Sequence, residues 1–94
     1  MQVIAYQYEG NERERVPRNF QRLIVNPGIQ VLPGWLCDEY LSLREVTLPQ
    51  GFIKIGSRTF AHCKSLSEIN ICSTVESIGE GAFARCDNLT KVDF

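Results

Sequence analysis

The stretch LSEINICSTVESIGEGAFARC at residues 66–86 decides the fold, because it repeats the pattern of LREVTLPQGFIKIGSRTFAHC at residues 43–63 with an offset of 23. Apolar residues, glycines and cysteines coincide at this offset and continue to the last residue of the chain. The coinciding positions are Leu43, Leu66 and Leu89; Val46, Ile69 and Val92; Leu48, Ile71 and Phe94; Phe52 and Val75; Ile55 and Ile78; Gly56 and Gly79; Phe60 and Phe83; and Cys63 and Cys86.

The same register extends towards the N-terminus, where it meets Phe20, Leu23, Val25, Ile29 and Leu32. A fixed internal period is typical of solenoid proteins, in which one short unit stacks on the next. We therefore predict an N-terminal cap strand and loop at residues 1–19. Residues 20–94 are predicted to form three 23-residue repeats and the first strand of a fourth.

The alternation of apolar and polar residues within each repeat predicts its local structure. Ile69 and Ile71 alternate with Glu68 and Asn70, which indicates a short strand with one buried face. A second short strand is expected near Ile78, and residues 82–86 have the apolar spacing of a single helical turn. The predicted fold is a β-rich, right-handed α/β solenoid with parallel short strands and short helical turns, whose like residues stack in columns.

This pattern, Leu-x-x-Ile-x-Ile followed by Val-x-x-Ile-Gly and Ala-Phe-x-x-Cys, resembles the BspA-like class of leucine-rich repeats. The resemblance covers Phe20–Phe94, and residues 43–63 also match it, with Pro49 after the strand. It implies a leucine-rich-repeat-like solenoid with a recognition or surface-display role, and it implies no chemistry. The first repeat departs from the pattern, because Pro33 replaces the glycine and Cys37 replaces the phenylalanine.

Composition excludes several classes of function. The chain has 94 residues with 10 basic and 11 acidic side chains, so it offers no basic excess for nucleic acid. No apolar run approaches the roughly 18 residues of a membrane span, and residues 1–10 do not resemble a signal peptide. If these residues are the whole chain, a cytoplasmic location is expected.

The outward side chains of the first sheet form the predicted partner-binding face. Its members are Arg22, Ile24, Glu45, Thr47, Glu68, Asn70 and Lys91. The aligned column Arg22, Glu45, Glu68 and Lys91 is interpreted as a charge-compensated ladder rather than an acid–base pair. The face lacks the clustered Trp, Tyr or Arg of a binding hot spot, and Trp35 is expected to pack over the first repeat instead.

The four cysteines, Cys37, Cys63, Cys72 and Cys86, have no zinc-site spacing. Buried free thiols are favoured for Cys63 and Cys86, with a disulfide or a metal as alternatives. Cys72 follows the strand and is the best candidate for an exposed thiol. His62, the only histidine, aligns with Glu39 and Arg85 and is expected at the surface.

These observations favour a non-enzymatic protein-interaction or scaffold module, part of a larger repeat protein, with no cofactor. The alternative is a structural spacer or display stalk without a specific partner. An enzyme is a third possibility, in which only Cys63 or Cys72 could act as nucleophile. The expected partner is a protein, and self-association through the uncapped C-terminal edge is a further expectation.

Overall fold

A computed structural model describes residues 2–93 of the chain. Phe94, which we predicted to extend the column of Leu48 and Ile71, lies outside the described residues. The strands are β1 (Ala5–Tyr8), β2 (Arg22–Val25), β3 (Val31–Leu32), β4 (Glu45–Thr47), β5 (Lys54–Ile55), β6 (Glu68–Asn70), β7 (Ser77–Ile78) and β8 (Lys91–Asp93).

The strands form two parallel sheets on different sides of a solenoid. Sheet A has the order β1-β2-β4-β6-β8, and sheet B has the order β3-β5-β7. Between β2 and β8 the register follows the offset of 23, so that Leu23 pairs with Val46, Val46 with Ile69 and Ile69 with Val92. The predicted stacking of repeats is therefore confirmed, and so is a second short strand in each repeat.

Like residues meet inside the solenoid in columns. Leu43 and Leu66 are fully buried one above the other, as are Leu32 and Ile55. Phe20 continues the leucine column and packs its ring 5.4 Å from Tyr6 and 5.9 Å from Tyr40. The core is thus a continuous stack, in which each coil covers the apolar side chains of the next.

The third side of each coil, which we call the turn face, consists of residues 34–40, 57–63 and 80–86. The helical turn predicted here is wrong, because residues 2–93 contain turns but no helix. Two residues in each repeat have left-handed backbone angles that interrupt a helix. They are Trp35, Arg58 and Gly81 (φ 64°, 54° and 65°) and Glu39, His62 and Arg85 (φ 61°, 60° and 60°).

The turn face carries its own row of hydrogen bonds between coils. The N–H of Cys37 donates to the carbonyl of Thr59 at 2.7 Å, and the N–H of Phe60 donates to that of Ala82 at 2.9 Å. Every donor in this row points towards the C-terminal end of the solenoid.

The described residues contain no helix, and therefore no helix that is long and apolar enough to cross a bilayer.

The N-terminal segment lies against the first coil. β1 pairs in parallel with β2, and Tyr40 donates a hydrogen bond from its hydroxyl to the carbonyl of Val16 at 2.6 Å. The Glu14 carboxylate accepts hydrogen bonds from the Tyr6 hydroxyl and from the N–H groups of Glu9, Gly10 and Asn11. This cluster ties β1 to the loop that follows it.

Candidate partner-binding face

The outward side of sheet A brings the predicted face residues together on adjacent strands. Arg22, Glu45, Glu68 and Lys91 follow one another in register across β2, β4, β6 and β8. Thr47 and Asn70 are exposed beside them, whereas Ile24 is half-buried. All seven residues therefore share one surface.

Only part of the predicted charge ladder forms. The Arg22 guanidinium pairs with the Glu45 carboxylate. Glu68 and Lys91 are neighbours in register, and neither forms an ion pair with a side chain of residues 2–92. Both side chains are exposed, so this half of the face presents two opposite charges one strand apart.

A shallow depression of about 230 Å³ lies in the middle of the face. Its lining includes the side chains of Glu45, Thr47, Glu68 and Asn70, together with Gln50 and Cys72. Carboxylates, a hydroxyl and amides can exchange hydrogen bonds with a polypeptide surface in either direction. Polar atoms make up most of the lining of this depression.

β1 extends this face by one strand that sequence reasoning did not include. Gln7 is in register with Ile24, and its side-chain amide donates a hydrogen bond to the Asn26 side chain. Asn26 in turn donates to the Glu9 carboxylate. The alternation of Tyr6 and Tyr8 with Gln7 was the available signal, because it placed Gln7 on the outward side.

Trp35 is not part of the core, contrary to our expectation. Its side chain is 60% exposed, and the Arg58 guanidinium lies 5.4 Å from the centre of the indole ring. The left-handed conformation of Trp35 at the corner of the coil turns the ring outwards. An exposed tryptophan beside an arginine combines two residue types that are enriched in binding hot spots.

The cysteines have free thiols with different surroundings. Cys37 and Cys63 are buried, and the Cys63 thiol donates a hydrogen bond to the carbonyl of Cys37 at 3.1 Å. Burial raises the pKa of Cys63 to about 12, so its nucleophilic thiolate is scarce at neutral pH. Cys86 repeats the arrangement with the carbonyl of Phe60, and burial raises its pKa as well.

Cys72 is half-buried beside the depression, with its sulfur 3.0 Å from the Thr74 hydroxyl. His62 is also half-buried, and its Nδ1 lies 3.3 Å from the Asp38 carboxylate. Among residues 2–93, no three His, Cys, Asp or Glu side chains gather as metal ligands would.

Fold and face together define a class, the parallel β-solenoid built from 23-residue coils. Residues 19–94 match the family model described as the BspA type leucine rich repeat region (6 copies). The chain belongs to this family. No curated protein and no solved structure matches the chain. Repeats of this kind often serve in protein interaction and are generally non-enzymatic.

Proposed function

We propose that this chain is a protein-recognition module that binds its partner through the outer face of sheet A. The observation that carries this proposal is the depression lined by Glu68 and Asn70, where exposed charged and amide side chains stand side by side on adjacent strands. Repeat solenoids commonly offer such an extended surface to other proteins. Binding here requires no cofactor and no covalent step.

The chemistry of the face favours a polar, hydrogen-bonding partner surface. Glu45 is already neutralised by Arg22, whereas Glu68 and Lys91 present opposite charges one strand apart. A partner with a complementary pair of charges would fix its register across the strands. Specificity would then come mainly from orientation, because exposed charge pairs contribute little to affinity.

Capture of partners by a tagged chain tests this proposal through matched arginine substitutions. Thr47→Arg and Asn70→Arg place bulk and charge in the depression, while Ser77→Arg makes the same change on the exposed side of sheet B. We expect the first two variants to lose a protein that wild type and Ser77→Arg both retain. Equal capture of that protein by all four would reject this face, and absence of any captured protein would support a spacer role instead.

The exposed corner at Trp35 provides the competing location. Trp35→Ala removes the indole without touching sheet A. Loss of the same partner with Trp35→Ala, and retention with Thr47→Arg, would place the contact at the corner and contradict the proposal.

A further inference from the structure

The outward side of sheet B, with the adjoining corner of the turn face, carries apolar side chains beside basic ones. In the first coil the exposed residues Val31, Pro33 and Trp35 form what we call the apolar row. In the second coil the positions aligned with Val31 and Trp35 hold Lys54 and Arg58, which we call the basic row. Because Val31 pairs with Lys54 in register, the two rows lie one strand spacing apart.

These side chains face solvent because of their position within a coil. Lys54 is exposed although β5 has β3 on one side and β7 on the other. Ser77, the next residue in register, is exposed as well. Side chains alternate between the two faces of a strand, so Val31 points away from the core for the same reason. At the corner, Trp35 and Arg58 share one left-handed backbone conformation, which directs both side chains outwards.

The Arg58 side chain is held in place between its neighbours. Its guanidinium lies 5.4 Å from the centre of the Trp35 ring. Its stem passes over Gly81, where a Cβ atom would lie 3.2 Å from Cγ of Arg58. A planar guanidinium stacked on an aromatic ring still presents its N–H donors at the edge of the plane. Arg58 can therefore donate to a carboxylate beside the indole without leaving its position.

The basic row is a narrow strip of positive charge. Neither Lys54 nor Arg58 forms an ion pair with a side chain of residues 2–92. On the other side of the strip, Glu76 and Glu80 are exposed in the third coil. A strip bordered in this way attracts a few carboxylates placed along it and repels a ligand that carries negative charge over a wider area.

We propose that the apolar and basic rows together bind an extended segment of a second protein, in which apolar side chains alternate with Asp or Glu. The backbone of this segment runs along the boundary between the two rows. Because alternate side chains of an extended chain project to opposite sides, the apolar ones reach the first coil and the carboxylates reach the second. This surface is separate from the outer face of sheet A, and the inference does not rest on the function proposed for that face.

The two rows contribute differently to binding. Val31 and Trp35 offer apolar surface that loses water on contact, and a tryptophan beside an arginine is typical of a binding hot spot. Lys54 and Arg58 select carboxylates and fix the direction in which the segment faces. Affinity therefore depends mainly on the apolar row, and the choice of partner depends on the basic row.

A single-stranded nucleic acid fits this surface less well. Such ligands stack successive bases on several aromatic side chains, whereas Trp35 is the only aromatic residue in the two rows. Glu76 and Glu80 would also repel successive phosphates.

The fluorescence of Trp35 reports on this surface directly, because the chain has only one tryptophan. The probes are a peptide that alternates leucine with aspartate, the same peptide with asparagine at each aspartate, and oligothymidylate. At low salt we expect the acidic peptide to shift the emission to shorter wavelength and to bind about fivefold more tightly than the asparagine peptide. An unchanged emission, equal binding of the two peptides, or tighter binding of oligothymidylate would overturn the proposal.

Two matched pairs of variants locate the contact. Lys54→Gln removes a charge from the basic row, and Lys64→Gln removes one from the same coil beyond the other end of the turn face. Val31→Ser and Leu41→Ser shorten exposed apolar side chains of the first coil at the corresponding places. We expect acidic-peptide binding to weaken about threefold with Lys54→Gln and about fivefold with Val31→Ser, and to be unchanged in the two controls. Equal losses with Lys54→Gln and Lys64→Gln would show that only net charge matters, and would contradict the proposal.

Discussion

The two ends of the solenoid differ in how their core is covered. At the N-terminal end, Phe20 is only 1% exposed, because β1 and Tyr6 lie against it. At the C-terminal end, Ile78 and Phe83 remain partly exposed although the aligned Ile55 and Phe60 are fully buried. An aligned position is thus buried or exposed according to whether another layer of backbone lies over it.

The coils also differ in how closely their backbone approaches the backbone of a preceding coil. A Cβ atom on Gly56 would lie 2.6 Å from the nitrogen of Gly34, and one on Gly79 would lie 2.4 Å from that of Ser57. Both positions touch the preceding coil. Pro33 occupies the aligned position in the first coil, which has no preceding coil on that side, and it is exposed. The departure from the repeat pattern therefore follows from its place at the end of the stack.

The largest expected effect is the loss of a buried aromatic ring. Phe60→Ala should lower the free energy of unfolding by about 4 kcal/mol, because the side chain is fully buried and stacks 5.7 Å from Phe83. Phe83→Ala, the same change at the open end, should cost about half as much. Urea denaturation measures both free energies of unfolding. Equal losses would contradict the inferred difference between the fully buried Phe60 and the partly exposed Phe83.

A smaller effect is expected from a methyl group between coils. Gly56→Ala should cost about 3 kcal/mol, since the backbone of the first coil must shift to make room. Pro33→Ala is the control at the aligned position and should change stability by less than about 1 kcal/mol. A well-tolerated Gly56→Ala would show that the coils are stacked less closely than described.

The N-terminal segment should respond to pH. Although burial opposes ionisation, hydrogen bonds from Tyr6 and the backbone lower the pKa of Glu14. Burial and the hydrogen bond to Glu14 raise the pKa of Tyr6 to about 12. The ionised Glu14 therefore stabilises the fold above its unfolded pKa of about 4.3, and this contribution is lost as the pH falls through the lower folded value.

Glu14→Gln removes that charge and should lower the free energy of unfolding by about 1 kcal/mol at pH 7. The difference between variant and wild type should shrink as the pH falls below about 4. Thermal unfolding from pH 3 to pH 7 measures it, and Glu12→Gln, an exposed change in the same loop, is the control. A constant difference over this range would contradict the role of the Glu14 carboxylate.

The smallest effect concerns the ion pair on sheet A. Arg22→Ala should cost no more than about 0.5 kcal/mol and should cost less at high salt, because the pair with Glu45 is partly exposed. Lys91→Ala should leave stability unchanged. A larger loss with Lys91→Ala would reveal an interaction at the C-terminal edge that the described contacts lack.

The strands and their register were predictable, because apolar alternation and the offset of 23 survive in every repeat. The turn face was not, since Trp35 and Arg58 adopt a left-handed conformation that such side chains rarely favour. One signal was present: Gly81 aligns with both, and a glycine tolerates that conformation without strain. The exposure of Trp35 follows from the same backbone angle.

The candidate face was predictable in its membership but not in its electrostatics. Register placed Arg22, Glu45, Glu68 and Lys91 in one column, yet side-chain conformation decided that only the first two form an ion pair. The N-terminal segment was predicted to contain a strand. Its position beside β2, which adds Gln7 to the face, depends on tertiary pairing.

Amide hydrogen exchange tests most directly whether the backbone of each coil forms hydrogen bonds to the next coil. The N–H groups of Cys37 and Phe60 donate to the following coil, whereas that of Phe83 has no acceptor within residues 2–93. We expect slow exchange at Cys37 and Phe60 and fast exchange at Phe83. Fast exchange at Phe60, or equal protection at Phe60 and Phe83, would contradict the stacked-coil account.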